Sequence, residues 1–175
     1  MADELSPLER DVIDTILAPD HPVMHVLRRQ FERCHVASRR FTGVGFFTVL
    51  DVATDVEPAP VKPGAMDLGD VTATIEGLQH GAGFVLFVRD GALTELEGFS
   101  FDEPWPDPSA RFEVTAGGVM HGGGSKTDIE EVDAAWDRSR DIPRSWVTTA
   151  SPTLAAWRRR RRTDSATSAS MMIRT

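Results

Sequence analysis

The dipeptide Asp90-Gly91 stands between two strand-like runs, "GFVLFVR" and "ALTELEGFSF". Both residues accept the positive φ angles of a type I′ turn, whose twist matches a two-stranded ribbon. The segment is therefore a hairpin, and the rest of the chain has to be compatible with an antiparallel sheet. Upstream, "DVTATIEGL" alternates, with Val71, Ala73 and Ile75 on one face and Thr72, Thr74 and Glu76 on the other. "RRFTGVGFFTVLDVA", residues 39–53, reads as one more strand, carrying Val44, Phe46, Leu50 and Val52 on one side. Residues 54–67, rich in proline and acids, read as a long loop between them.

Two-residue turns at His80-Gly81 and Asp90-Gly91 give a definite register. Ile75 falls beside Leu86 and Glu95, and Gly77 beside Phe84 and Glu97. On the opposite face Glu76 falls beside Val85 and Leu96, and Thr74 beside Phe87 and Thr94. The first face, with Val71, Ala73, Ile75, Phe84, Leu86, Val88 and Leu93, is the better core. The second mixes apolar residues with threonines and Glu76, too apolar for an indifferent solvent surface and too polar for a second core. The glycines around His80 belong to a hairpin bend. A phosphate-cradling loop joins a strand to a helix, whereas this one runs into another strand, with Gly81 suited to a positive φ.

Two helices precede the sheet. Ser6-Pro7-Leu8-Glu9 matches a capping box with proline in the first turn, followed by a stripe of Leu8, Val12, Ile13, Ile16 and Leu17. "APDHP" breaks it, and Asp20 or His21 caps a second helix opened by Pro22. There Val23, Val26 (or Met24), Leu27, Phe31 and Cys34 share a side. Such a helical hairpin needs a partner surface, which the sheet supplies. The expectation is an α+β two-layer domain over residues 5–112: a helical hairpin on a four-stranded antiparallel meander. Residues 113–175 read as a mobile extension: a glycine linker "TAGGVMHGGGSKT", a short helix within "DIEEVDAAWDRSRD", and an Arg/Ser-rich tail.

Charge narrows the function classes. Residues 1–118 hold 9 basic and 20 acidic side chains, whereas residues 119–175 hold 10 and 7. An acidic body argues against specific nucleic-acid binding and suits a basic protein partner. The single cysteine, Cys34, cannot form an intramolecular disulfide and fits a reducing compartment. The start lacks a basic stretch leading into an apolar one, and no apolar run approaches a membrane span. Together these indicate a cytoplasmic protein with no membrane association. Only Lys62 and Lys126 among the 19 basic residues are lysines, which points to a GC-rich bacterial genome.

Motifs that resemble catalytic signatures fail on their neighbours. His121-Gly122-Gly123-Gly124 looks like an esterase oxyanion loop, but no nucleophile elbow accompanies it, since Gly98-Phe99-Ser100-Phe101-Asp102 lacks the second glycine. "GGGSKT" has Ser125 where a phosphate loop needs glycine before lysine. His21 and His25 have the spacing of helical zinc ligands, without a third ligand, and capping is the simpler role. Among the acids Glu76, Glu95, Glu97, Asp102 and Glu103, the register above puts Glu76 on the face opposite Glu95 and Glu97, which argues against a catalytic pair; solvated acids, or acids meeting a basic partner, are the better reading. Arg158 to Arg162, beside Trp157, form a basic run in the tail. No catalytic residue, metal site or cofactor is expected.

"FTGVGFFT", "LGDVTATIEGLQHGAGFVLFVRDGALTELEGFSFDEPWP" and the helical "LSPLERDVIDTILAPDHPVMHVLRRQ" resemble a family of small bacterial proteins of no established activity. That family shares a leading helical pair, a G-x-G-F-F-T strand, an I-E-G-L-x-H-G-A-G-F hairpin and an L-E-G-F…P-W-P ending. The resemblance spans roughly residues 5–107 and implies a fold without an activity. Two functional readings follow from the residues. The first is a non-enzymatic protein-binding protein of the immunity or antitoxin kind, using Thr74, Glu76, Val85, Phe87 and Leu96, or pairing with itself as a homodimer. The alternative is a small-molecule-binding protein or enzyme with a pocket at the open end of the sheet, formed by Asp70, His80, Glu97, Asp102 and Trp105.

Overall fold

A computed structural model describes residues 4–117 and 128–137 of the 175-residue chain. Helix α1 (Pro7–Ile16) starts at the capping box read from the sequence. Ser6 Oγ accepts from the Glu9 N–H at 3.3 Å, and Glu9 Oε2 accepts from the Ser6 N–H at 2.6 Å. Helix α2 (Pro22–Glu32) is capped by His21, whose Nδ1 accepts from the Val23 N–H at 3.1 Å and leaves the ring proton on Nε2. Val12, Ile13, Ile16, Val23, Met24, Val26 and Leu27 bury one face of this helical pair.

The helices cover one face of a six-stranded sheet, two strands more than the meander expected. Its strands are β1 (Cys34–Phe41), β2 (Gly45–Val52), β3 (Ala65–Ile75), β4 (Ala82–Arg89), β5 (Ala92–Ser100) and β6 (Phe112–Ala116). Their order is β1-β2-β5-β4-β3-β6, and every neighbouring pair is antiparallel. The extra strands have local causes. The run at 39–53 is broken by Thr42, Gly43 and Val44, where Gly43 takes a φ of +90°, so that it folds back as β1 and β2. Cys34 opens β1 directly after α2 and is not on the helix, although its thiol still donates to the Phe31 carbonyl at 3.2 Å. Val44 consequently lies in the turn and is 48% exposed, leaving Phe46, Thr48 and Leu50 facing the helices.

The Asp90-Gly91 turn forms with φ angles of +50° and +82°. The bend before β4 is longer than the two residues expected: β3 ends at Ile75 and β4 begins at Ala82. Val71, not Gly77, therefore pairs with Phe84. Within the β4–β5 pair Val88 opposes Leu93 while Phe87 opposes Glu95, so Thr94 is an extra, bulged residue. Its hydroxyl donates to the Phe87 carbonyl at 3.1 Å. A one-residue shift moves every later side chain to the other face. Leu96 thus pairs with Leu86 inside the core, completely buried, and Glu95 and Glu97 turn outward.

The expected boundary at residue 112 falls at the start of β6, which pairs with β3 and belongs to the sheet. Helix α3 (Asp128–Ala135) packs against β3, with Val132 fully buried. The Lys62 N–H donates to the Ala135 carbonyl, and the Asp137 N–H to the Pro60 carbonyl, both at 2.8 Å. The glycine-rich segment around His121 to Lys126 and the arginine run at 158–162 lie outside the described residues.

Gln30, buried in α2, locks the helical layer to the hairpin. Its Nε2 donates to the Gly91 carbonyl at 2.8 Å and to the Glu57 carbonyl at 3.2 Å, while Oε1 accepts from the Leu93 N–H at 3.0 Å. Gln30→Leu strands those groups without water, so a loss of roughly 2–4 kcal/mol in urea unfolding is expected. In α1, burial raises the Asp14 carboxyl to about 6, against the lowering effect of Arg10. A carboxyl whose folded pKa is raised weakens the fold as pH climbs through that value. Asp14→Asn is therefore expected to raise Tm at pH 8, by about 1 kcal/mol in stability given its partial solvation, and to leave it unchanged near pH 4.

Candidate functional site

Among the described residues, the face of the sheet opposite the helices is uncovered, and its composition follows from the pairing. One cross-strand row runs Val49, Glu95, Phe87 and Asp67 across β2, β5, β4 and β3. The next runs Arg40, Phe47, Glu97 and Val85 across β1, β2, β5 and β4. A third carries Phe99 with Gly83 and Thr72. The face is thus a band of Phe47, Val49, Val85, Phe87 and Phe99 with two carboxylates in its middle.

Basic groups stand at the margins. The Arg40 guanidinium lies over the Phe47 ring at 4.7 Å, and Arg89 over Phe87 at 5.2 Å. Arg89 is also committed to Asp67, at 2.8 Å. Glu95 and Glu97 have no such partner among the described residues. Partial burial against the surrounding rings raises the Glu97 carboxyl above its ordinary range, and the neighbouring Glu95 charge raises it further. An uncompensated carboxylate pair set in apolar surface is a place where an incoming cation gains energy.

The residues expected to form the docking face divide. Val85 and Phe87 lie in the band, half-buried, and Thr74 is exposed beside it, opposite Glu113 of β6. Glu76 lies past the end of β3 and is bound to Arg111 through two contacts of 3.1 Å, which hold its carboxyl below the usual range. Leu96 is in the core. Phe47, Val49, Phe99, Glu95 and Glu97 take the places the sequence reading assigned to Leu96 and Glu76. The pairing of Leu93 with Leu96, three positions apart and both core-type, was the available sign of a bulge.

The five expected pocket residues are not brought together. Trp105 alone lines a cavity, of about 170 Å³, at the end of the layer between α1 and the sheet. Glu97 points to the opposite face, and Asp70 sits in the irregularity of β3 between Leu68 and Val71. His80 is exposed in the bend, where its N–H and that of Gln79 donate to the Glu103 carboxylate at 3.1 and 2.9 Å. Asp102 is an exposed turn residue with a φ of +61°.

His21 and His25 serve local roles: the first caps α2, and the second places Nε2 at 2.8 Å from Asp20. Among the described residues no group of three His, Cys, Asp or Glu side chains is arranged to hold a metal ion, and no helix is long and apolar enough to cross a membrane. No family model, curated protein or solved structure matches the chain.

Removing the Glu97 charge should relieve the fold. Its raised pKa means that the penalty is present above that pKa and disappears as pH falls through it. Glu97→Gln is expected to raise Tm by about 1–3 °C at pH 8, with the gain vanishing near pH 4 in the same thermal melts.

Proposed function

We propose that this chain is a non-enzymatic protein-binding protein of the bacterial cytoplasm, in the manner of an immunity protein or antitoxin, whose bare sheet face docks a basic partner. The observation that carries this reading is the pair Glu95 and Glu97, without an ion-pair partner among the described residues and half-buried inside a band of Phe47, Val85, Phe87 and Phe99. A carboxylate such as Glu97, whose burial weakens the fold, suits an external counter-charge. Rigid aromatic side chains around a charged centre match the anchor pattern of binding hot spots.

Charge also selects the occupant. In a symmetric homodimer the same patch faces itself, so the carboxylates of one copy would approach those of the other. A partner presenting arginine or lysine at the centre of an apolar patch meets both demands of the face at once. The acidic body around it, 20 acids against 9 basic residues in positions 1–118, adds long-range attraction for such a partner.

The test is photo-crosslinking from position 87 in the native host, with a second probe on the helical layer at the exposed Glu32 as a control. The expected result is one dominant protein adduct at position 87, absent from position 32, whose purified protein binds the intact chain. Changing Glu95 and Glu97 together to lysine should weaken that binding at least tenfold, about 1.4 kcal/mol or more. Equal adducts at both positions, or unchanged affinity in the double variant, would overturn the reading.

A further inference from the structure

The cavity at the other side of the sheet has a composition that selects a ligand. Its walls are Phe41, Phe46, Ile75, Trp105, Pro106 and Phe112, and its floor is made by Ser6, Glu9 and Arg39. Phe41 is 58% exposed although it stands on the helix-facing side of β1, opposite Phe46. Trp105 meets the Phe46 ring edge-on at 5.2 Å, so two walls are fixed against each other. At about 170 Å³ the space is close to that of an engineered apolar cavity of about 150 Å³ that takes benzene. One aromatic ring is the matching payload.

The floor decides what that ring carries. The Glu9 carboxylate is only 2% exposed and its oxygens are already engaged. Oε1 accepts from Arg39 Nε and from the Thr48 hydroxyl, and Oε2 accepts from the Ser6 N–H and from Arg39 Nη2. Arg39 Nη2 also donates to the Glu4 carbonyl at 3.0 Å. Arg39 Nη1 and the Ser6 hydroxyl proton remain without an acceptor among the described residues. The one cationic group of the floor, Arg39, thus keeps donor capacity beside the Ser6 hydroxyl, while both Glu9 oxygens are filled. Asp107 lines the rim, where its exposed carboxylate already accepts from the Ser109 N–H and hydroxyl.

We infer that this cavity binds a free aryl carboxylate, its ring between Phe41, Trp105 and Phe112 and its carboxylate on Arg39 Nη1 and the Ser6 hydroxyl. This site is independent of the sheet face, which lies on the opposite side of the strands. A ligand there buries the exposed Phe41 ring and supplies the acceptor that the floor lacks.

The test is NMR titration of the full chain with phenylacetate, phenethylamine and toluene. Phenylacetate is expected to shift the Trp105 indole and the Ser6 and Phe112 amides saturably, and to bind at least about tenfold more tightly than the amine or toluene. Ala110 also lines the cavity and takes no part in the Glu9 hydrogen bonds, so Ala110→Phe, which fills the space, should abolish those shifts while leaving Tm unchanged. Arg39→Lys should weaken phenylacetate but not toluene. Preference for the amine, equal binding of all three, no saturable shift, or binding that survives Ala110→Phe would each overturn the proposal.

Discussion

Thr94 decides which half of β5 the helices see. Leu93 and Leu96 are three residues apart, so a regular strand would place them on opposite faces. Both are buried, which requires one residue to be looped out between them. The alternative register sends Glu95 and Glu97 under α2 and exposes Leu96, at the cost of burying two carboxylates without partners. The bulge avoids this, and its own loss of pairing is offset by the Thr94 hydroxyl on the Phe87 carbonyl. The outward band of aromatic residues with two acids at its centre is the direct consequence.

At the far end of the sheet a second constraint operates. Gly98 faces the core between Phe46 and Phe84, and a Cβ built there would lie 2.5 Å from the Phe46 ring. Its absence lets both rings close over the strand and lets Trp105 meet them edge-on, at 5.2 and 6.5 Å. The Glu9 carboxylate then joins α1 to β1 and β2 through Arg39 and Thr48. A buried ion pair of this kind contributes little net stability against an apolar replacement, but removing one partner leaves an unpaired charge. Its structural effect is positional: it holds the start of α1 over the open end of the sheet, where the cavity forms.

Much of this was legible before the structure. The capping box at Ser6, the Asp90-Gly91 turn and the core set from Val71 to Leu93 all rest on local rules and appear as read, and of the two caps open for α2, Asp20 and His21, the structure uses His21. The two missed strands rest on weaker signals. Residues 39–53 alternate with apolar side chains on both faces, so periodicity does not reveal the turn at Gly43, and β6 is short and needs β3 beside it to pair. The bend at 76–81 is longer than its glycines suggest because Glu103, some 23 residues later, supplies the carboxylate that holds it. The cavity was hardest to see. Its floor unites the Ser6–Glu9 capping box with Arg39, 30 residues after Glu9, and only Trp105 among the expected pocket residues lines the cavity.

The register and the openness of the sheet face can be read together by thiol labelling. With Cys34 replaced by serine, single cysteines at positions 85, 96 and 97 of the full chain report which side chains meet solvent. Cysteines at 85 and 97, half-buried on the open face, are expected to react with a small reagent within about tenfold of the unfolded chain, and a cysteine at 96 to be protected by about a hundredfold or more. A reactive position 96 with protected positions 85 and 97 would contradict the bulge at Thr94 and the docking face built on it.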